Sequence, residues 1–400
     1  MKNKTFLPGA DPSLNAVVGN DWPVDKNYSY VLGFEQAVEV LLASAVQELY
    51  VDPITQEPKA VYIDALIYPI CFCARHFIEL FLKRQILLTS SLRGQPDNAA
   101  GTHDLASLWL RLQSHLPADR RLAPLAAPMG EFISDFAAID ETGETFRYAF
   151  DLKDNLHLEG LTHINLGILA DRLKSLREYA ENFELQMEEL INEYRWKTYT
   201  SKLSREDIRQ IAHRLPPHKD WGSDDFKAIK SAIRVEFGLT SNDFNRAACI
   251  IKSHREFSCM VGIEIPLEGI SIDIFDRLKN INEGVAGYES LSDDEWVRLA
   301  AVCEIGRMGE YSEAYDFLPE AYKAEEYQAR VYSRDVFREM LGRHNRFRIG
   351  LKKLGQPTLL SKFEENFPKA PEEPRKSQED LREIFRRQLE RMRSKTESNT

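Results

Sequence analysis

The chain has 400 residues and a formal charge of −11, from 52 basic against 63 acidic side chains, a length that suits two to three domains at about 150 residues each. With 43% apolar residues, 29% charged residues, 20 Gly and 18 Pro, the composition excludes collagen-like, low-complexity and wholly disordered chains. The acidic balance excludes a uniformly basic nucleic-acid coat but leaves local basic patches open.

Residues 1–30 carry Pro8, Gly9, Pro12, Gly19 and Pro23 without periodicity and read as an irregular N-terminal arm. From Phe34 onward, Ala37, Val38, Leu41, Leu42, Ala45, Val46 and Leu49 recur at steps of three and four, the spacing of one helix face. A turn-rich link at Asp52, Pro53 and Pro58 leads to a second helix over 61–92, apolar on most sides, central, and kinked by Pro69. Cys71 and Cys73 fall two apart in it, which on a helix points them about 200° apart, so they read as packing residues rather than metal ligands. The five cysteines, these two with Cys249, Cys259 and Cys303, are odd in number and thinly spread, which argues against a disulfide framework. The opening residues lack the apolar core of a signal peptide, and the most apolar run, 65–74, is far short of the ~20 residues that span a bilayer. A cytoplasmic protein without membrane contact is expected.

Helical spacing returns at 103–115 through Leu105, Leu108, Trp109 and Leu112, and again at 129–139. The stretch 165–196 carries the longest pattern: Leu166, Leu169, Leu173, Leu176, Ala180, Phe183, Met187, Leu190 and Tyr194 fill the apolar positions of successive heptads. Such a repeat favours side-by-side helix packing, either within the chain or across a homodimer interface. Ser204 before 205–208 fits a helix N-cap, and Pro216-Pro217 breaks the helices that follow. Charge is segregated here. Residues 195–260 hold 13 basic against 8 acidic side chains, 264–333 hold 6 against 16, and 334–355 hold 7 against 2. Beyond Pro368, Pro371 and Pro374, Ser377 and Asp380 resemble a capping box opening a charged helix through Leu381, Phe385, Leu389 and Met392, suited to a partner protein. No strand-rich block is present, short runs such as 259–265 being the nearest to extended.

The expected fold is all-α: an arm at 1–30, a helical bundle at 31–197, a second helical domain at 198–363, and a Pro-rich linker with a charged helix at 364–400. Spacing tests exclude several chemistries. There is no GxxxxGK[ST], GxGxxG, HExxH or GxSxG. Among nine histidines only His213 and His218 stand near metal-ligand spacing, and flanking a Pro-Pro break they read as surface or capping residues. Neither a metal nor a cofactor is expected.

Three segments carry chemistry. In RHFIELFLK, Arg75, Glu79 and Lys83 stand at i, i+4 and i+8, so one carboxylate faces two cations as an ion-pair ladder or as the floor of a polar groove. HDLASLW opens on His103, and FRYAFD contains Arg147. Together these segments resemble the HEPN superfamily, helical nucleotide-binding and RNase domains common in bacterial toxin–antitoxin and phage-defence loci, over residues 30–195. The resemblance implies a HEPN-like bundle that binds, and in its enzymatic form cleaves, RNA or a nucleotide, with Arg75, Glu79, His103 and Arg147 lining the site. HEPN ribonucleases carry Arg, then four to six intervening residues, then His, a cation for phosphorane charge and an imidazole for the proton. Only Arg338 and His344 meet that spacing, outside the resembling region, while no His follows Arg147 until His157. Arg338, Arg343, Arg346 and Arg348 interleave with Phe337 and Phe347, either as a nucleic-acid surface or as complement to the acidic segment before them. Two other functions fit the same residues: a non-catalytic adaptor recruiting a partner protein, and a DNA-associated regulator using the basic middle segment.

Overall fold

The computed structural model describes residues 5–18, 27–46, 49–51, 56–99, 101–151, 153–307, 309–323 and 344–368. These are mostly helical, with one short antiparallel hairpin. The chain divides into two compact units, 1–205 and 206–400.

Unit 1 is built on α2 (Ile63–Ser91), against which α1 (Tyr28–Ala45), α3 (Leu105–His115) and α6 (Leu166–Tyr194) pack. α5 (Met129–Ile139) lies on α3 and α6, and the short α4 (Leu122–Ala126) lies on α6. Pro69 sits inside α2. α2 is also, among the described residues, the helix long and apolar enough to cross a bilayer, and half of its most apolar stretch is buried within the protein. α1 starts at Tyr28, six residues ahead of the first residue of its apolar periodicity. The link to α2 holds a hairpin where spacing indicates only turns: β1 (Leu49–Val51) pairs with β2 (Pro58–Ala60), with Leu49 opposite Ala60. Proline is tolerated there because it opens its strand, where a missing N–H costs least.

The heptad stripe of α6 is consumed inside unit 1. Leu176, Ala180, Phe183, Met187, Leu190 and Tyr194 are buried, joining Phe81, Leu82, Ile86, Leu108, Leu112 and Met129 around the core, while Leu173 is buried against Val38 and Ala74. Phe183 meets Phe81 edge-on at 6.4 Å. Of the two uses open to that stripe, the structure takes packing within the chain. The unit ends at Arg205 rather than at 197, since Thr200 accepts a hydrogen bond from the Arg93 guanidinium and Tyr199 packs on Tyr194 at 4.9 Å.

Unit 2 runs through α7 (Arg205–Arg214), α8 (Asp224–Glu236), α9 (Ser241–Ser253), α10 (Arg255–Met260), α11 (Ile274–Asn282), α12 (Asp293–Ile305), α13 (Leu318–Lys323), α14 (His344–Lys353) and α15 (Pro357–Asn366). α10 takes up the start of the run 259–265 as its last turn. α12 packs on α13 and α14, while α14 and α11 pack on α15. At the centre Phe363 meets Phe275 edge-on at 5.5 Å and stacks on Phe347 at 5.4 Å. The expected C-terminal helix over 377–392 lies outside the described residues.

Candidate functional site

The helical spacing of Arg75, Glu79 and Lys83 does place them on one face of α2, and the first two are buried, each 2% exposed. A buried guanidinium needs its donors met, since an uncompensated charge costs several kcal/mol. Arg75 donates to the Glu79 carboxylate and to the backbone carbonyl of His103. Its Nε faces Asp140, 3.5 Å from the backbone oxygen and 3.6 Å from Oδ2. Glu79 Oε1 in turn accepts from Lys83 Nζ at 2.7 Å and lies 2.8 Å from His103 Nδ1. Burial pushes the Glu79 carboxyl up, but the hydrogen bonds from Lys83, His103 and Arg75 outweigh it and hold the group below its ordinary range.

Asp140 is fully buried, and the loop after α5 winds around it: Oδ1 accepts from the Gly143 and Thr145 amides at 2.7 and 3.2 Å. Gly143 has φ +82° and lies flat on Arg75, where an added Cβ would stand 3.0 Å from the guanidinium carbon. Only glycine suits both that dihedral and that approach. The Gly143 carbonyl accepts from Arg147 Nε at 2.7 Å, so the same loop that closes over Arg75 holds Arg147. Arg147 is exposed, and its guanidinium carbon stands 5.8 Å from the Phe72 ring centre and 5.5 Å from that of Tyr148. Among the described residues no carboxylate forms an ion pair with it.

The structure therefore gathers Arg75, Glu79, His103 and the Arg147 loop, but as a closed ion-pair network with Arg147 outside it. His103 keeps its side chain 69% exposed. It is not the helix-start residue that its position before α3 implied, because Asp104 caps α3 by accepting from the Ala106 and Ser107 amides.

His76 was missed by spacing, which weighs i, i+4 and i+8 and passes over the residue next to Arg75. Its ring stacks on Phe72 at 5.8 Å and meets Phe34 edge-on at 4.3 Å. Burial lowers its pKa from the ordinary 6.5; Glu79 opposes this, and Arg75, Lys83 and Arg147 add to it. The lowered pKa favours the neutral imidazole. Its surroundings bear an exposed cation, an aromatic ring and a neutral imidazole, a set that can meet a phosphate and a base.

The second candidate pair belongs to unit 2. His344 opens α14 and packs on Phe363 and Phe367 at 5.9 and 5.2 Å, its pKa lowered by burial and then by Arg348. Arg338 and Arg343 lie outside the described residues. Arg348 is no surface residue: 6% exposed, it donates to the Phe367 carbonyl at 2.6 Å and faces Glu364 at 3.5 Å. Phe347 is fully buried, and Arg346 is half-buried. Helical geometry explains this correction, because Phe347 and Leu351 turn one side of α14 inward and carry Arg348 with them. His213 faces Arg209 at 3.3 Å, and the His218 ring stands 4.9 Å from that of Trp221. Among the described residues, no group of three His, Cys, Asp or Glu is placed to hold a metal ion. Cys71 is a packing residue whose thiol burial pushes up to about 12.

No family model, curated protein or solved structure matches this chain. Fold and site together define an all-α chain of two units, the first built around a buried Arg75–Glu79 pair that a glycine loop seals and Arg147 overhangs.

Proposed function

We propose that unit 1 is a HEPN-like bundle that binds RNA or a nucleotide through its phosphates, as a cytoplasmic protein of the bacterial defence or toxin–antitoxin type. The observation that carries this reading is the loop from Asp140 to Arg147: its carboxylate and Gly143 are locked on the buried Arg75, and its far end presents Arg147 to solvent. An exposed guanidinium held by a backbone bond loses less side-chain freedom on meeting a phosphate than a free one would. Lys83 and His103, both engaged by Glu79, supply further positive or donor groups on the same network. Binding is the function proposed, since the Arg and His spacing of HEPN ribonucleases is missing from this unit. A homodimer, also expected from the sequence, would form on a surface other than the α6 stripe.

Titration of a fluorescent single-stranded RNA, and separately of ATP, into the full chain tests this. Arg147→Ala is expected to weaken binding about tenfold and to reduce the slope of log affinity against log salt by roughly 0.7, the share of one phosphate contact on a single strand. Unfolding of the variant should stay within about 1–2 kcal/mol of the parent, because the charge of the exposed Arg147 makes one hydrogen bond, to the Gly143 carbonyl. Absence of binding, or binding indifferent to both salt and Arg147, overturns the proposal. Cleavage of the RNA that vanishes in His76→Ala would extend it to catalysis.

A further inference from the structure

Unit 2 opens with three helices whose sequence showed only a basic excess. Ser223 caps α8, and four residues, 237–240, separate α8 from α9. Gly238 takes φ +61°, and the Leu239 amide bonds back to the Arg234 carbonyl, while Leu239 itself is buried. Thr240 and Asp243 form a capping box that fixes where α9 begins. Phe226 of α8 meets Phe244 of α9 at 6.3 Å, and Arg214 of α7 pairs with Glu236 of α8 at 2.6 Å. Two helices joined by a tight glycine-bearing turn and braced by a third are the parts of a helix–turn–helix.

The two sides of α9 differ sharply. Phe244, Ala247, Ala248 and Ile251 are buried. Asn242, Asn245, Arg246, Cys249, Lys252 and Ser253 are exposed along the other side. No carboxylate interrupts that side, because Asp243, the acid of α9, is buried in its own cap. From α8, Lys230 adds a cation beside it, 3.5 Å from Asn245 Oδ1.

We propose that α9 is the reading helix of a helix–turn–helix that enters the major groove of double-stranded DNA. The chemistry favours this partner over the others. The Asn amide offers a donor beside an acceptor, matching an adenine edge, the Arg guanidinium offers paired donors, matching the two acceptors of guanine, and Lys230 and Lys252 suit the flanking phosphates. The major groove of B-form DNA, about 12 Å wide, admits a helix, whereas that of A-form RNA is too narrow for side chains to read. A protein partner would seek aromatic or large apolar anchors, and the exposed side of α9 has none. The inference stands apart from the phosphate site of unit 1 and uses none of its residues.

The test is fluorescence anisotropy of the full chain with random-sequence DNA duplexes of about 30 base pairs, between about 50 and 200 mM salt. Binding is expected to weaken steeply with salt and to fall about tenfold or more in the Arg246→Ala/Lys252→Ala double variant. Both side chains are exposed, so the helical circular dichroism of that variant should equal the parent's. Asn245→Ala should relax the sequence preference recovered by selection from a random duplex pool while leaving non-specific affinity nearly intact. The Arg246→Ala/Lys252→Ala variant should bind single-stranded RNA and ATP as the parent does, which separates this site from the one in unit 1. Duplex binding that is absent, indifferent to the double variant, or competed equally by duplex RNA overturns the proposal.

Discussion

Glu79→Ala is expected to lower the stability of unit 1 by about 3–5 kcal/mol, the cost of stranding a buried charge. Arg75 is 2% exposed, and Glu79 is the carboxylate that its guanidinium donates to directly; Asp140 stays at 3.6 Å. Removing Glu79 leaves Arg75 with one distant carboxylate and the carbonyls of His103 and Asp140, and releases Lys83 and His103 as well. Chemical denaturation of the full chain, read by hydrogen exchange at α2 and α3 peptides, measures the loss. The Arg75→Met/Glu79→Leu double variant should recover most of it, because apolar residues of similar size often replace a buried pair without penalty. A single variant as stable as the parent would show that the network contributes nothing to the fold.

The same carboxylate sets a pH dependence. Its folded pKa lies below the ordinary value of 4.5, so the unfolded chain binds the proton first as pH falls. The stabilisation is therefore complete above the ordinary carboxylate range and is lost as pH drops through the lowered folded value. Glu79→Gln should remove this part of the acid slope, leaving the difference in stability between parent and variant flat above about pH 5. A difference that grows on the alkaline side would contradict the assignment.

Gly350→Ala is expected to cost at least about 3 kcal/mol, beyond the usual range for overpacking, since backbone blocks the new methyl. The added Cβ would stand 2.0 Å from the Val302 carbonyl oxygen, and a Cβ on Gly306 would stand 1.9 Å from that of Arg346. α12 and α14 thus cross with their backbones in contact. α14 cannot lift away cheaply, as Phe347 and Leu351 behind it are fully buried. The sign is diagnostic, because alanine inside a helix otherwise gains about 1 kcal/mol over glycine. Gly222→Ala, with open space around its Cβ, serves as the control and should shift stability by less than about 0.5 kcal/mol. Faster hydrogen exchange across α12 and α14 in Gly350→Ala alone is the expected readout.

How far the sequence reached depended on distance along the chain. α3, α5 and α6 were legible to within two residues because a step of three or four between apolar side chains is local information, and α2 was legible for the same reason despite Pro69. The hairpin at 49–51 and 58–60 was not, being three residues per strand and opened by a proline. Charge proved a poor guide to surface. Arg348 sat in the most basic stretch of the chain, yet its place on α14 beside Phe347 turned it inward.

The candidate site divides the same way. That Arg75, Glu79 and Lys83 share a face was fixed by the 3.6-residue turn and needed no tertiary contact. Whether that face was a solvated ladder or a buried pair depended on α3 delivering the His103 carbonyl and on the loop after α5 delivering Asp140 and Gly143, 65 or more residues away. Periodicity carries no signal over such a separation. In unit 2, by contrast, the residues 242, 245, 246, 249 and 252 are a helical repeat that was present in the sequence throughout. Only the burial of Phe244 and Ala248 showed which side of α9 faces water, because a short helix with mixed composition can be turned either way until its neighbours choose.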